Sequence, residues 1–193
     1  MDKKSKTIDR CQISGVQDLK TVLSLGYLPP VNKLNKINSS LREDVFYPAE
    51  LMFSPSSKLM QLNTIVDKEI LFPKEYPYTS STTKILRENF KELYKDCKKI
   101  VNISSNDLII DIGSNDGNLL NNLKDNHRVL GITPENIGKI AIRKGINTLQ
   151  KYFDKATSDL VLKKFGKAKI ITATNVFAHI EIVNLLMKNL LKI

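Results

Sequence analysis

The segment LIIDIGSNDGNLL, residues 108–120, combines residue types that could hold a charged small molecule. Asp111 ends an apolar run, and Gly113 and Gly117 follow with three polar residues between them. Gly113 lets the backbone turn without a Cβ clash, and Gly117 lets a following helix approach closely. Free N–H groups at the start of that helix can receive an anion or a carboxylate. The segment therefore predicts a ligand-binding loop, or only a strand that turns into a helix.

The spacing of the glycines narrows the choice of ligand. Dinucleotide-binding folds use G-x-G-x-x-G, and the third glycine is absent here, so nicotinamide-dependent oxidation ranks low. The spacing is similar to the first motif of S-adenosylmethionine-dependent methyltransferases, whose strand-end carboxylate and loop backbone hold the amino acid part of the cofactor. Asn115 and Asp116 could instead cap a helix. The predicted cofactor-binding residues of this loop are Asp111, Gly113, Ser114, Asn115, Asp116 and Gly117.

Alternating strands and helices must position this loop. Short apolar runs of strand length are separated by stretches whose apolar residues recur at helical spacing. Such alternation is typical of a parallel sheet with helices on both faces. Ligands bind such sheets beyond the carboxyl ends of the strands, where Asp111 lies. The predicted strands are 108–112, 128–132, 146–149 and 169–174, and the predicted helices are 83–101, 117–124, 134–144, 155–165 and 181–192.

The sequence before residue 83 has a different character. Prolines interrupt residues 1–82 and the apolar runs are short, which predicts a small loop-rich domain with short strands, such as LMFSPSSKLMQL around a turn. Residues 83–193 are predicted to form a Rossmann-like domain, so the fold class is α/β. Cys97 lies on the apolar face of the helix predicted at 83–101, which indicates a small core residue and not a reactive thiol.

Composition limits the classes of function. The apolar fraction of 41% suits a globular protein, and no stretch approaches the roughly 20 apolar residues of a membrane helix. Without a secretory signal at its start, the chain is expected to be cytoplasmic. The net charge of +10 comes mainly from scattered lysines, which argues against nucleic acid as a partner but would attract an anionic metabolite. Two cysteines form no disulfide framework.

Several segments carry a resemblance to one family. IDIGSNDGNLL, VLGITPENIGKIAIRKGINT, KYF and ITATNVFAHI occur in this order, and LGYLPPVN and YPYTSSTT lie upstream. Together they resemble the deoxysugar (NDP-hexose) C-methyltransferase family from about residue 11 to residue 180. The resemblance implies a class I methyltransferase domain, S-adenosyl-L-methionine as cofactor and a nucleotide-linked sugar as substrate.

The resemblance also implies a reaction. Family members methylate a carbon next to a keto group: a base removes the acidic proton, and the enolate attacks the sulfonium methyl group. His179 matches the family's active-site His and could handle that proton, or it could anchor the turn after the strand. Tyr78 matches a Tyr that hydrogen-bonds the sugar or its enolate, or it packs at the domain junction. Asn175 would line the cofactor pocket or cap the strand end.

The sequence departs from the family in its N-terminal domain. That domain resembles a zinc-binding module with two C-x-x-C pairs, but the aligned positions here are Cys11, Ser14, Ser54 and Ser57. Because zinc requires deprotonated sulfur or imidazole nitrogen, a serine hydroxyl is a poor ligand. We therefore expect that this domain binds no structural zinc and that residues 1–75 are loosely held.

A second departure concerns the ribose of the cofactor. Thr133 stands where the family usually carries Glu at the end of the second strand, and that acid normally accepts hydrogen bonds from the ribose hydroxyls. Glu135, two residues further on, is a candidate substitute. Because a threonine makes only a neutral hydrogen bond, we expect weakened cofactor affinity.

The last departure is length. The family's sheet has seven strands and is followed by a large substrate domain, whereas this sequence ends after the helix that follows the fourth predicted strand. The strand at 169–174 would then be an open edge, which favours association with another chain or with a C-terminal partner polypeptide. The two readings left open are a truncated methyltransferase and a non-catalytic remnant that binds a nucleotide-like ligand or a partner chain.

Overall fold

The structure, a computed structural model, divides into two compact units. The N-terminal unit comprises Met1–Pro73 and Glu181–Asn184, and the parallel-sheet unit comprises Lys74–Ile180 and Leu185–Ile193. The domain boundary predicted between residues 82 and 83 stays a prediction, and part of the domain predicted at 1–82 lies outside the described residues. The residues described are 5–32, 34, 37–38, 40 and 44–193.

The N-terminal unit is built from short antiparallel strands. In this unit β2 pairs with β3, β3 pairs with β4, and β1 pairs with β5. The hairpin predicted for LMFSPSSKLMQL is confirmed, since β3 and β4 flank a turn within that segment. The described elements are β1 (Ser5–Thr7), β2 (Lys20–Leu28), β3 (Tyr47–Phe53), β4 (Met60–Leu62), β5 (Thr64–Val66) and α1 (Lys68–Leu71).

The parallel-sheet unit contains four strands in the order β8-β7-β6-β9, and every neighbouring pair is parallel. The strands β6 and β7 lie in the middle because their apolar residues can be covered on both faces, whereas β8 and β9 are shorter. The elements are α2 (Lys84–Ile100), β6 (Leu108–Ile112), β7 (Arg128–Ile132), α3 (Gly138–Arg143), β8 (Thr148–Leu149), α4 (Lys155–Lys164), β9 (Ile170–Thr172) and α5 (Val183–Leu190).

Helices cover both faces of this sheet. Successive side chains of a strand point to opposite faces, so Ile109 joins a core with Phe90 of α2 and Ala141 of α3. On the other face Ile110, which is fully buried, packs in a core with Val161 of α4. Burial of one such side chain contributes roughly 1.5–3 kcal/mol. The predicted α/β class, with a partial Rossmann-like parallel sheet, is confirmed.

The helix predicted at 117–124 is wrong. Only the 3-10 turn Leu120–Asn122 forms there, although its leucines are buried as a helix would bury them. Asn122 is the physical reason: its side-chain amide donates to the carbonyl oxygens of Asn118, at 3.1 Å, and Leu119, at 3.3 Å. These carbonyls would otherwise accept α-helical hydrogen bonds. The glycine loop is therefore not followed by a regular helix.

Other elements are shorter than predicted. The helix predicted at 134–144 begins only at Gly138, because residues 135–137 are joined to the next residues by three-residue turns, such as Gly138 N to Glu135 O at 3.2 Å. Cys97 is half-buried and lines a small apolar space beside Tyr94. In the described part of the chain no helix is both long enough and apolar enough to cross a membrane.

Candidate functional site

Asp111 is the penultimate residue of β6, at the carboxyl edge of the sheet, and is only 3% exposed. Its position in the register is opposite Thr172 of β9, whose hydroxyl donates to the carboxyl group at 2.7 Å. Burial raises the pKa of Asp111 to about 7, and the hydrogen bond from Thr172 only partly opposes this effect. The strand end therefore carries a buried acid that would ionise readily beside a cation.

Gly113 follows Asp111 with φ +73°, a conformation that favours glycine. Its N–H donates to the carbonyl oxygen of Ile132 at 2.7 Å, which ties the start of the loop to the end of β7. A Cβ atom at Gly113 would lie 2.2 Å from Cγ2 of Val176. The space that the missing side chain leaves is thus filled by Val176.

Gly117 ends the loop with φ +78°. A Cβ atom there would lie 2.6 Å from Cδ1 of Ile146 and 2.9 Å from the Cβ of Ala141 in α3. The expected close approach of a helix is therefore present, but the helix is α3 and not one that follows the loop.

Ser114 is the buried polar group of the loop whose side chain lacks a hydrogen-bond partner among the described residues. Its residue is 3% exposed, and its Oγ lies close to Gly131 of β7, where an added Cβ would be 2.6 Å away. A buried hydroxyl without a partner costs about 1–3 kcal/mol. The hydroxyl is therefore a buried polar group that no described residue satisfies.

Asn115 has its side chain committed to the segment that carries Tyr78. Its Oδ1 accepts from the N–H of Ser80 at 2.9 Å, and its Nδ2 donates to the carbonyl oxygen of Tyr78 at 3.0 Å. Asn118 donates in turn to the carbonyl oxygen of Ser80 at 3.1 Å. Asn115 also adopts φ +51°, which is uncommon for a non-glycine residue. The loop thereby holds residues 78–80 in place.

Asp116 makes a second connection between the glycine loop and Ser80. Its carboxylate accepts from the hydroxyl of Ser80 at 2.6 Å and from the ammonium group of Lys144 at 3.0 Å, and its side chain is fully buried. Burial raises the pKa of Asp116, but hydrogen bonds from Ser80, Ser81 and Lys144, together with the Lys144 charge, outweigh burial and hold the pKa below its usual range. Asp116 is a structural anion in this arrangement.

Thr133 and Glu135 form a polar pair just beyond β7. The Thr133 hydroxyl donates to the Glu135 carboxylate, and both residues are buried. The Thr133 N–H donates to the carbonyl oxygen of Leu149 in β8 at 3.1 Å, which fixes the start of this turn. Gly138 lets the turn fold closely, since an added Cβ would lie 2.7 Å from Thr133 Cγ2. The chain therefore brings a carboxylate back to the end of the second central strand.

The remaining predicted site residues lie on loops of the same unit. Tyr78 is 48% exposed, and its ring meets that of Tyr76 edge-on, with 6.4 Å between centroids. Asn175 has φ +55° in the loop after β9. His179 is exposed at the end of the 3-10 turn Phe177–His179, and its N–H donates to the carbonyl oxygen of Val176 at 2.9 Å. Their roles stay predictions.

Some residues of this region were not predicted from the sequence. The local sequence pattern predicts only a solvated lysine at position 144, just after α3. It does not indicate the ion pair that Lys144 forms with Asp116. Val176 lies inside ITATNVFAHI, but its contact with Gly113 depends on the fold. Ser80 lies in YPYTSSTT, so the family-like segment was the signal that could have found it.

Comparison with known proteins agrees with this architecture. Residues 11–72 match a protein-family model described as "Putative zinc binding domain". The C-methyltransferase NovU of Streptomyces niveus is 23% identical over 177 residues, which cover 91% of this chain and 42% of that protein. Together these two matches support a C-methyltransferase-like family for this chain. The resemblance stated from the sequence is confirmed at this level.

The distant similarity to a C-methyltransferase supports a methyltransferase-like function, and methyltransferases in general use S-adenosylmethionine. The chain spans about two fifths of the length of the curated relative that it matches. The substrate and the activity of the whole protein are therefore matters for a proposal.

Proposed function

We propose that this chain binds S-adenosyl-L-methionine and serves the methylation of a carbon next to a keto group on a nucleotide-linked deoxysugar. The observation that carries the proposal is the buried acid Asp111 at the end of β6, followed in the same loop by the unpartnered hydroxyl of Ser114. A structural strand-to-helix turn has no need for either group, because each costs stability when it stays uncompensated.

The residues of the loop fit the amino acid part of the cofactor. Asp111 offers a carboxylate to an ammonium group, which would offset the burial that raises its pKa to about 7. Ser114 offers a buried hydroxyl, and Gly113 and Gly117 supply the left-handed backbone that shapes the loop. When bound, the cofactor supplies an electrophilic methyl group on a sulfonium centre.

Glu135 is proposed to take over the acceptor role for the ribose hydroxyls. Thr133 cannot provide a charge, but its hydroxyl holds the Glu135 carboxylate at the end of β7. A carboxylate in that place makes charge-assisted hydrogen bonds, which are roughly twice as strong as neutral ones. The pair thus compensates for the acid that the sequence lacks at position 133.

Two side chains are proposed to act on the sugar. His179, which is exposed, has an imidazole nitrogen that can accept the acidic proton. Tyr78 has an exposed phenol that can donate a hydrogen bond to the developing oxyanion, and Asn115 fixes its backbone. Asn175 is proposed to line the cofactor pocket next to Val176.

Titration calorimetry of the full chain with S-adenosylmethionine tests the cofactor. We expect saturable binding that Asp111→Asn weakens at least tenfold, because asparagine keeps the bond from Thr172 but cannot carry charge. Asp125→Asn, which alters an exposed aspartate, is the matched control and should bind normally. Silence of the folded wild type toward both S-adenosylmethionine and S-adenosylhomocysteine would contradict the proposal.

The second candidate is a non-catalytic protein that binds a nucleotide-like ligand or a partner chain. The observation that favours it is Val176, whose side chain fills the space beside Gly113. A partner would add to the outer edge of β9, which in the described residues pairs only with β6. Cofactor binding without turnover of keto-deoxysugar nucleotides, or association seen by sedimentation without cofactor binding, would favour this candidate.

A further inference from the structure

Two turns of the N-terminal unit, residues 11–15 and 54–58, have the same backbone hydrogen bond. The N–H of Gly15 donates to the carbonyl oxygen of Cys11, and that of Lys58 to the carbonyl oxygen of Ser54, both at 2.9 Å. The fifth residue of each turn is left-handed, with φ +71° at Gly15 and +62° at Lys58. Lysine rarely adopts this conformation, so the second turn is held against its local preference.

The side chains of the two turns meet. Cys11 Sγ lies 3.1 Å from Ser57 Oγ, within hydrogen-bond distance. Ser56 Oγ lies 3.3 Å from Ser14 Oγ and 3.2 Å from Ser54 Oγ, and so joins the turns a second time. In a tetrahedral zinc–thiolate site with Zn–S near 2.3 Å, neighbouring sulfurs are about 3.7 Å apart. Of the four ligand-spaced positions, Cys11 and Ser57 are therefore in direct contact, and Ser14 and Ser54 are linked through Ser56.

The donor set does not fit zinc. The four ligand-spaced positions offer one thiol and three neutral hydroxyls, and a hydroxyl keeps its proton at ordinary pH. The Ser54 hydroxyl is already committed as a donor to Asp18 at 2.8 Å. A zinc ion bound here would break these hydrogen bonds and would gain only weak oxygen ligands in return. The family model that matches residues 11–72 and the residues present in this chain therefore disagree about the metal.

Asp18, which lies outside the two turns, adds a carboxylate to the network. Asp18 accepts from the Ser56 N–H at 2.8 Å and from the Ser54 hydroxyl, and the Ser56 N–H is the main cause that lowers the pKa of Asp18. Cys11 Sγ accepts from the backbone N–H groups of Ile13 and Ser14, each at 3.4 Å. Asp18 and Cys11 are thus acceptors for the backbone N–H groups of the two turns.

We propose that these turns are a zinc-knuckle backbone in which a hydrogen-bonded network replaces the metal as the crosslink. The network consists of Cys11, Ser14, Ser54, Ser56, Ser57 and Asp18. Two consequences follow: the wild-type chain binds no zinc at this place, and restored thiols would rebuild a zinc site without a change of backbone.

The first experiment measures zinc in the full chain. The triple variant Ser14→Cys, Ser54→Cys, Ser57→Cys is expected to retain one zinc per chain after dialysis, measured by plasma mass spectrometry, and to give tetrahedral thiolate absorption with cobalt(II). Wild type and a control with the same number of thiols on exposed serines (Ser24→Cys, Ser104→Cys, Ser105→Cys) are expected to retain none. Stoichiometric zinc in the wild type, or none in a folded triple variant, overturns the proposal.

A second experiment tests the proposal even if the triple variant does not fold. Ser56→Ala removes the hydroxyl that bridges the turns, so the Gly15 and Lys58 amides should exchange at least tenfold faster in the wild-type background. Ser24→Ala, at an exposed strand position, should leave both rates unchanged. In the zinc-loaded triple variant Ser56→Ala should have no effect, because Ser56 is not at a ligand position. Unchanged exchange in wild-type Ser56→Ala overturns the proposal.

Discussion

Asp111 connects the stability of the parallel-sheet unit to pH. Its pKa of about 7 in the folded chain lies above the ordinary value of 3.8, so the folded state holds a proton that the unfolded state releases. The stabilising effect is complete below pH 3.8 and is lost as the pH rises through 7. In urea unfolding, Asp111→Asn should gain stability relative to wild type between pH 5 and pH 8, by on the order of 2 kcal/mol.

The matched measurement on Asp125→Asn separates this effect from general titration. Asp125 is exposed, so its variant should keep a constant stability difference from wild type over the same pH range. A constant difference for Asp111→Asn as well would show that the buried acid does not hold its proton.

The side chain of Val176 limits the space beside the backbone of Gly113. Its Cγ2 atom occupies the place where a Cβ of Gly113 would stand, so the side chain competes with any ligand beside that backbone. Val176→Ala should therefore raise the affinity for S-adenosylmethionine by about 3–10-fold in calorimetry, which corresponds to about 1 kcal/mol. Val101→Ala, which trims a half-buried valine at the end of α2, should leave affinity unchanged. A lower affinity of Val176→Ala would mean that Val176 contacts the ligand.

At the scale of elements, the glycine loop and the segment before α2 form one hydrogen-bonded unit through Asn115. Asn115→Gly keeps the left-handed backbone but removes the acceptor for the Ser80 N–H, so the Ser80 amide should exchange at least tenfold faster. Asn115→Asp retains an acceptor oxygen and should keep Ser80 protected while it loses the bond to the Tyr78 carbonyl oxygen. Asn126→Gly, at an exposed position, is the control.

These exchange rates distinguish a positioning role from a purely local one. If Asn115→Gly leaves Ser80 protected, the bond that Ser80 donates to Asp116 and the bond that it accepts from Asn118 suffice to hold the segment. If protection is lost and returns in Asn115→Asp, the acceptor oxygen of the loop orders the backbone that carries Tyr78.

At the scale of the whole molecule, the pattern of apolar residues predicts those strands and helices whose formation depends on residues close in sequence. The sequence predicts the strands β6 and β7 with their observed limits, because each is a short segment rich in Leu, Ile and Val that can be buried on both faces. The helix α2 follows from its helical spacing of apolar residues. The prediction of a helix at 117–124 is wrong because the side-chain amide of Asn122 competes for backbone carbonyls. The periodicity of apolar residues contains no sign of this competition.

The candidate site was predictable only in part for the same reason. Asp111 and the glycines stand out in the sequence because a strand-end acid and left-handed turns have local causes. The partners of Asp116, by contrast, lie 36 residues upstream at Ser80 and 28 residues downstream at Lys144. Such contacts depend on how the elements pack.

Ligand binding should stabilise one unit of the molecule and not the other. Every predicted cofactor-binding residue lies in the parallel-sheet unit. At 100 times its dissociation constant a ligand that binds only the folded state contributes about 2.7 kcal/mol. S-adenosylmethionine should therefore slow amide exchange in β6 and β7 but leave the Gly15 and Lys58 amides unchanged. Asp18→Asn should preserve this response, and Asp111→Asn should remove it; protection confined to the N-terminal unit would place the ligand elsewhere.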